Sequence, residues 1–382
     1  MAARTRPPFR ADQVGSLKRP KALMEAREKL LGAHDRDSNF GPHDNAELRK
    51  LEDAAIRDVV KLQEAVGIKA ITDGEFRRRI WWSDFILSLE NVTGNYRGRD
   101  NVSLNAEGGR MPLPLISITG KIRWTKSINV APFKFLQSAI GKGGTAKVTL
   151  PAPQTVYFYT ERHAVDQKAY PDLRDHWDDL TDAYIAEVKA LGEAGCTYIQ
   201  FDEVTTSCLC DERQRDYVRA RGDDPDALLR TYVESMNRII AAKPAGMAVT
   251  LHTCRGNLQG HWFAEGGYDP IAEYMFNTLN VDGYLLEFDT ERAGSFKPLR
   301  FMPKGKVAAL GLVSTKEPAL EPLDHLKRRI EEAAQHIALD QLAVCPQCGF
   351  SSNYLGNPIT EEIEKAKLAR VVETAQAVWG SA

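Results

Sequence analysis

Net charge is nearly absent from this chain, cysteine is sparse, and no apolar run is long. The 382 residues carry 50 basic and 52 acidic side chains, a formal charge of −2, and no Lys/Arg block forms the stripe that a phosphate backbone attracts. Nucleic acid is therefore not an expected partner. No uninterrupted apolar stretch approaches the ~20 residues needed to cross a bilayer, and the opening MAARTRPPFRADQ has no apolar signal core. The expectation is a cytoplasmic protein without a membrane partner. Six cysteines, Cys196, Cys208, Cys210, Cys254, Cys345 and Cys348, are too few and too uneven for a disulfide framework, and in a reducing compartment such thiols favour metal or catalysis. A GxGxxG after the first strand is also missing, which removes the main support for a doubly wound dinucleotide-binding sheet.

What is present is a recurrence of short β-rich apolar runs, most followed by a helical stretch. They are 11–16, 69–75, 146–153, 197–203, 247–254, 283–289, 306–313 and 341–348. Their middles are continuous Val, Ile and Leu, which suits strands buried on both faces. Between them, residues 45–67 place Leu48, Leu51, Ala55, Val59, Leu62 and Val66 at three- and four-residue steps, an amphipathic helix that Asn45 can cap and Gly67 can end. Comparable stretches occupy 177–194, 225–241, 323–337 and 360–379. Eight strands alternating with helices predict an α/β fold, a (β/α)8 TIM barrel forming one domain over residues 1–382. The span 84–145 is too long for a normal loop and contains the apolar run PLISITGKI. It reads as an insertion after the second strand, containing a β-hairpin.

The polar residues that interrupt the strand ends fall at the face where barrel enzymes do chemistry: Ser16, Asp73, Glu75, Asp202, Glu203, His252, Cys254, Glu287, Asp289, Lys316, Cys345 and Cys348. His252 and Cys254 are two apart on a strand and so share a face. Imidazole nitrogen and thiolate sulfur are donors that zinc favours, although a packed thiol and a hydrogen-bonded core histidine would read the same way. Glu287 and Cys348, from two other strand ends, complete a candidate set of four, with a Glu287–Arg292 ion pair as the alternative for the acid. Cys345 sits inside an apolar run and reads as packed. The Cys-x-x-Cys spacing of Cys345 and Cys348 closes a strand instead of opening a helix, which disfavours a redox pair.

The ordered motifs VGS, DGE, QFDE, HTC, LLE and PQCG resemble the catalytic barrel of the cobalamin-independent methionine synthase family over about residues 10–375. Phrases such as DGEFRRRIWW and HTCRGN are closer still to its stand-alone members, which lack the long amino-terminal half. The resemblance implies that His252, Cys254, Glu287 and Cys348 hold Zn2+, with Glu287 the ligand most easily displaced, and that a small-molecule thiol, homocysteine, coordinates there as a thiolate. That thiolate would attack a methyl donor, folate-type or other, to form a thioether such as methionine. Val14, Gly15 and Ser16 match the segment that holds the amino-acid part, while Glu75 and Asp202 match acids that bind its ammonium group. Arg255 is a candidate for a substrate carboxylate or sulfonate, and Arg110 for a folate contact. Glu75, Asp202 and Lys316 are the candidate catalytic groups, Lys316 standing where the synthase has a histidine. Epoxyalkane:coenzyme M transferases share the superfamily and give the alternative function. The aromatics Trp81, Trp82, Phe85, Trp124, Tyr157 and Tyr159 divide between core and a stacking surface for the donor. Oligomeric state is left open, with a homo-oligomer allowed.

Overall fold

The computed structural model describes residues 4–33, 39–95, 101–103, 110–112, 115–160 and 164–382. Six of the expected runs form a six-stranded all-parallel sheet. Its members are β7 (Val148–Pro151), β8 (Tyr198–Glu203), β9 (Ala248–Thr253), β10 (Gly283–Glu287), β11 (Val307–Val313) and β12 (Leu342–Pro346), paired in that order. Every residue of these strands is buried. This is why their sequences are continuously apolar and not alternating.

The second expected strand is short. β1 (Ala70–Ile71) pairs in parallel with β6 (Thr145–Ala146), and the Lys147 N–H, just before β7, donates to the Ile71 carbonyl at 2.8 Å. The first expected strand, 11–16, is not a regular strand: Ala11 makes a single parallel bridge to Val344. Between that bridge and Ser16, whose carbonyl accepts from the Phe350 N–H at 2.9 Å, side chains help hold the segment. Gln13 Nε2 donates to the Ala70 carbonyl at 2.9 Å and Thr72 Oγ1 to the Gly15 carbonyl at 2.7 Å. Gly15 has φ +133°, and a Cβ there would come within 2.5 Å of Thr149, so the chain departs from the extended ladder at that point.

The span 84–145 holds the antiparallel pair β2 (Glu90–Asn95) and β5 (Leu115–Arg123), a second antiparallel pair β3 (Asn101–Ser103) and β4 (Arg110–Pro112), and a helix at Val130–Ala139. The helices at Ala46–Val66, Leu173–Glu193, Pro225–Ala241, Leu323–Ala333 and Glu361–Trp379 match the expected periodic stretches. Asn45 caps the first of these by accepting from the Leu48 N–H at 2.9 Å, and Gly67 ends it with φ 90°.

The buried face of that helix is rotated from the expected one. Leu51 is exposed while Glu52, Ile56, Val60 and Gln63 are buried. Glu52 is drawn inward by Arg27, His43 and Arg77, and Gln63 by Thr72, so polar pairing fixes the face where periodicity alone does not. Among the described residues no helix is long and apolar enough to cross a membrane.

Candidate metal centre and substrate cavity

The carboxyl ends of the sheet gather His252, Cys254 and Cys348 into one buried group whose donor atoms all lie within 4.8 Å of one another. His252 is the penultimate residue of β9, Cys254 follows that strand, and Cys348 lies two residues past β12. The two Sγ atoms are 3.1 Å apart. His252 Nδ1 lies 3.1 Å from the Leu285 carbonyl, which can only accept, so Nδ1 carries a hydrogen and Nε2 is the nitrogen at which a metal would take the place of a proton. That Nε2 is buried without a hydrogen-bond partner. An orphaned imidazole nitrogen beside two thiols fits a metal of the zinc type: the donors are N, S and S, and the second nitrogen is oriented by a backbone carbonyl as ligating histidines require.

Electrostatics polarise the group. Cys348 is pushed well below the usual thiol range, first by the hydrogen bond from Cys254 and then by His252, against the effect of burial. Burial, with Cys348 alongside, pushes Cys254 well up. Burial alone would lower His252, but Cys348, Asp202 and Glu287 together raise it to about 9. A thiolate at Cys348 sharing the Cys254 proton is the arrangement these neighbours favour.

The same group lines a small cavity of ≈ 40 Å³ together with Val14, Ser16, Glu75, Asp202 and Asn257, room for only a few water-sized volumes. Glu75 sits in a turn at φ 61°, an uncommon conformation for a residue with a Cβ, which its surroundings pin in place. Its N–H donates to Asp73 at 2.8 Å and its carbonyl accepts from Arg19 at 2.9 Å. Its Oε1 accepts from Thr149 at 2.8 Å, and Oε2 is buried without a partner. Asp202, at a register position beside His252, accepts from Gln200 Nε2 at 2.6 Å. Burial raises both acids, Asp202 to about 8 despite His252 and Glu75 despite Arg78. Two desolvated carboxyl groups, one with a free oxygen, can receive a cation, whose charge would offset the burial that raises them. Gly349 lets Ser16 into the wall: a Cβ there would fall 1.9 Å from Ser16 Oγ.

The remaining expected residues are placed as follows. Glu287 is fully buried at the end of β10 but stands outside the His252–Cys254–Cys348 group. Its carboxylate accepts from Gln347 Nε2 and faces Arg255 at 3.4 Å and Arg292 at 3.6 Å. Burial opposes its ionisation, yet Arg292, Lys316 and Arg255 hold it below the usual carboxylate range. Arg255 is fully buried and does not line the cavity; its nitrogens bond to the Gly266 carbonyl, Tyr268 and Glu287. Lys316 is buried too, with Nζ 3.4 Å from the Gly256 carbonyl. Cys345 packs among Val14, Leu285 and Ala309. Of the aromatics, Trp81 lines the cavity. Trp82, Phe85, Tyr157 and Tyr159 are buried, while Trp124 donates to Glu187 at 2.7 Å. The Arg110 side chain lies outside the described residues.

Sequence reading passed over Asn257, Gln200, Phe158 and Phe263. The last two, with Trp81, pack against Val204, Cys254 and Cys348. Gln200 was the visible one, a glutamine in the middle of an otherwise apolar strand.

Known proteins resemble this chain over nearly its whole length. The family model described as the catalytic domain of cobalamin-independent synthase matches residues 32–376. The chain is 38% identical over 382 residues to the uncharacterised protein YxjG of Bacillus subtilis, covering 98% of this chain and 96% of that one. It is 24% identical to a methionine synthase of Saccharolobus solfataricus, covering 96% and 93%. A crystal structure from Listeria monocytogenes, provisionally assigned as a vitamin-B12-independent methionine synthase, superposes with TM-score 0.77 at 34% identity over 98% of this chain and 99% of that one. The chain belongs to the cobalamin-independent methionine synthase family, as a form of its catalytic domain.

Proposed function

We propose that this protein is a zinc-dependent methyltransferase that makes methionine from homocysteine, on a single-domain (β/α)8 barrel that residues 11–17 and β1 complete. The cytoplasm is the compartment this chemistry fits. The observation that carries the reading is the shared cavity: a His–Cys–Cys donor group forms one wall, and Glu75 with its unpartnered oxygen, beside Asp202, forms another. Homocysteine has a thiol at one end and an ammonium at the other, and the cavity offers a receptor for each.

His252, Cys254 and Cys348 would hold the zinc, with Glu287 as the fourth, exchangeable ligand. Bound zinc supplies Lewis acidity that brings a thiol to its deprotonated form at neutral pH. The chain's own residues do the rest. Glu75 and Asp202 accept the ammonium hydrogens, and Gln200 fixes Asp202 by its 2.6 Å bond. Val14 and Ser16 close the wall around the amino-acid part. Trp81, Phe158 and Phe263 cover the sulfur side with apolar surface, which limits water at the reacting sulfur. In the transfer the carbon–sulfur bond forms as the donor's bond to methyl breaks, and the donor keeps that electron pair.

Epoxide opening by coenzyme M is not favoured, because a sulfonate would face the carboxyl groups of Glu75 and Asp202. The test is binding of homocysteine and of coenzyme M to zinc-loaded protein by calorimetry. Glu75→Gln and Asp202→Asn are expected to weaken homocysteine by ~10- to 100-fold, the loss of one charge-assisted bond each, and not to weaken coenzyme M. Unchanged homocysteine affinity in both variants would refute the assignment.

A further inference from the structure

We propose that Arg255, Arg292 and Gln347 are positioning residues: they form a second resting place for the Glu287 carboxylate and thereby make it an exchangeable metal ligand. The inference rests on the zinc reading above and goes beyond it by assigning these three residues a task.

The cradle is built from anchored donors. Glu287 Oε1 accepts from Gln347 Nε2, Oε2 faces Arg255 Nη1 at 3.4 Å and Arg292 Nη2 at 3.6 Å, and the Glu287 N–H donates to Tyr268 Oη at 3.0 Å. Each donor is itself anchored. Arg255 is tied to the Gly266 carbonyl at 3.1 and 2.6 Å and lies over the Tyr268 ring at 4.4 Å. Arg292 bonds Asp289 at 3.2 Å and lies over Trp262 at 4.5 Å. Gln347 accepts from Thr315 at 3.2 Å, and its backbone N–H donates to the Val313 carbonyl at 2.8 Å. Donors fixed in this way lose little freedom when they bind a carboxylate.

The other three donors have no such competitor. His252 Nε2 has no hydrogen-bond partner, and Cys254 and Cys348 face each other. A carboxylate that joins the metal gives up fixed guanidinium and amide contacts, whereas the imidazole and the two thiols give up only protons and the hydrogen bond between the sulfurs. Its net attachment to the metal is therefore the weakest of the four, and a thiol that displaces it releases it into a site already formed. Gln347 sits next to Cys348 in sequence, so the cradle and the metal group share one segment and stay in register.

Gln347→Leu and Arg292→Met, with Arg292→Lys as the conservative control, test this in the full chain. Zinc affinity is measured by chelator competition, homocysteine affinity by calorimetry on zinc-loaded protein, and zinc ligation by X-ray absorption. Removing a cradle donor is expected to tighten zinc about tenfold and weaken homocysteine about tenfold, opposite changes of about 1.4 kcal/mol each. The oxygen ligand should persist at homocysteine concentrations that remove it in wild type, and Arg292→Lys should fall between. A purely structural role would weaken both constants together. That result, or no change in either constant in both Gln347→Leu and Arg292→Met, overturns the proposal. Wild-type protein without stoichiometric zinc would refute the zinc reading itself, and this inference with it.

Discussion

His252 and His176 are both almost fully buried with an unpartnered ring nitrogen, yet their surroundings send them in opposite directions. His252 Nε2 lies beside two thiols, and Cys348, Asp202 and Glu287 raise the ring to about 9 against burial. His176 has both ring nitrogens unpartnered and sits among Tyr157, Tyr170 and Trp177, with ring centroids 5.5–6.3 Å away. Burial there lowers it to about 4, with only Asp179 opposing. An orphaned nitrogen alone is thus not a site. Convergent donors make it one, and aromatic walls keep the other neutral and packed.

The largest expected effect separates the two rings by metal. His252→Ala should weaken zinc on the order of a thousandfold, since each ligand carries several kcal/mol of the total, while His176→Leu should leave zinc affinity unchanged under chelator competition. Equal losses in both variants would break the comparison. The next effect separates them by pH. The unfolded His176 takes up its proton near 6.5 and the folded one only near 4, so its contribution to stability is intact above 6.5 and is lost as pH falls through that window. The displacement corresponds to about 3 kcal/mol by pH 4. Urea unfolding of wild type beside His176→Leu at pH 7 and pH 4.5 should show the wild type losing more stability than the variant. Parallel losses would remove this histidine from the account.

Much of the metal group could be read from the sequence. Two residues apart on a strand fixes a common face for His252 and Cys254, and strand-end position brings Cys348 and Asp202 to the same rim. The Glu287 surroundings could be read only in part. Arg292 is close in sequence, but Gln347 reaches Glu287 from 60 positions away and Arg255 from 32, through loop geometry that no periodicity encodes. The same holds for Glu75, whose positive φ depends on Arg19 and Asp73 fixing the turn. The first strand failed as an expectation for a related reason: side chains of Gln13 and Thr72 take over part of its ladder, and local apolar pattern cannot report that. The inward rotation of the Ala46–Val66 helix follows from Glu52, a charge that pattern-reading assigns to solvent and that Arg27, Arg77 and His43 hold inside.

The most direct test of the central claim is zinc-edge X-ray absorption on the purified chain with and without homocysteine. The expected result is one zinc per chain with two sulfur ligands, rising to three when homocysteine is added, as one oxygen ligand leaves. A chain that binds no stoichiometric zinc, or a sulfur count that homocysteine does not change, would contradict it.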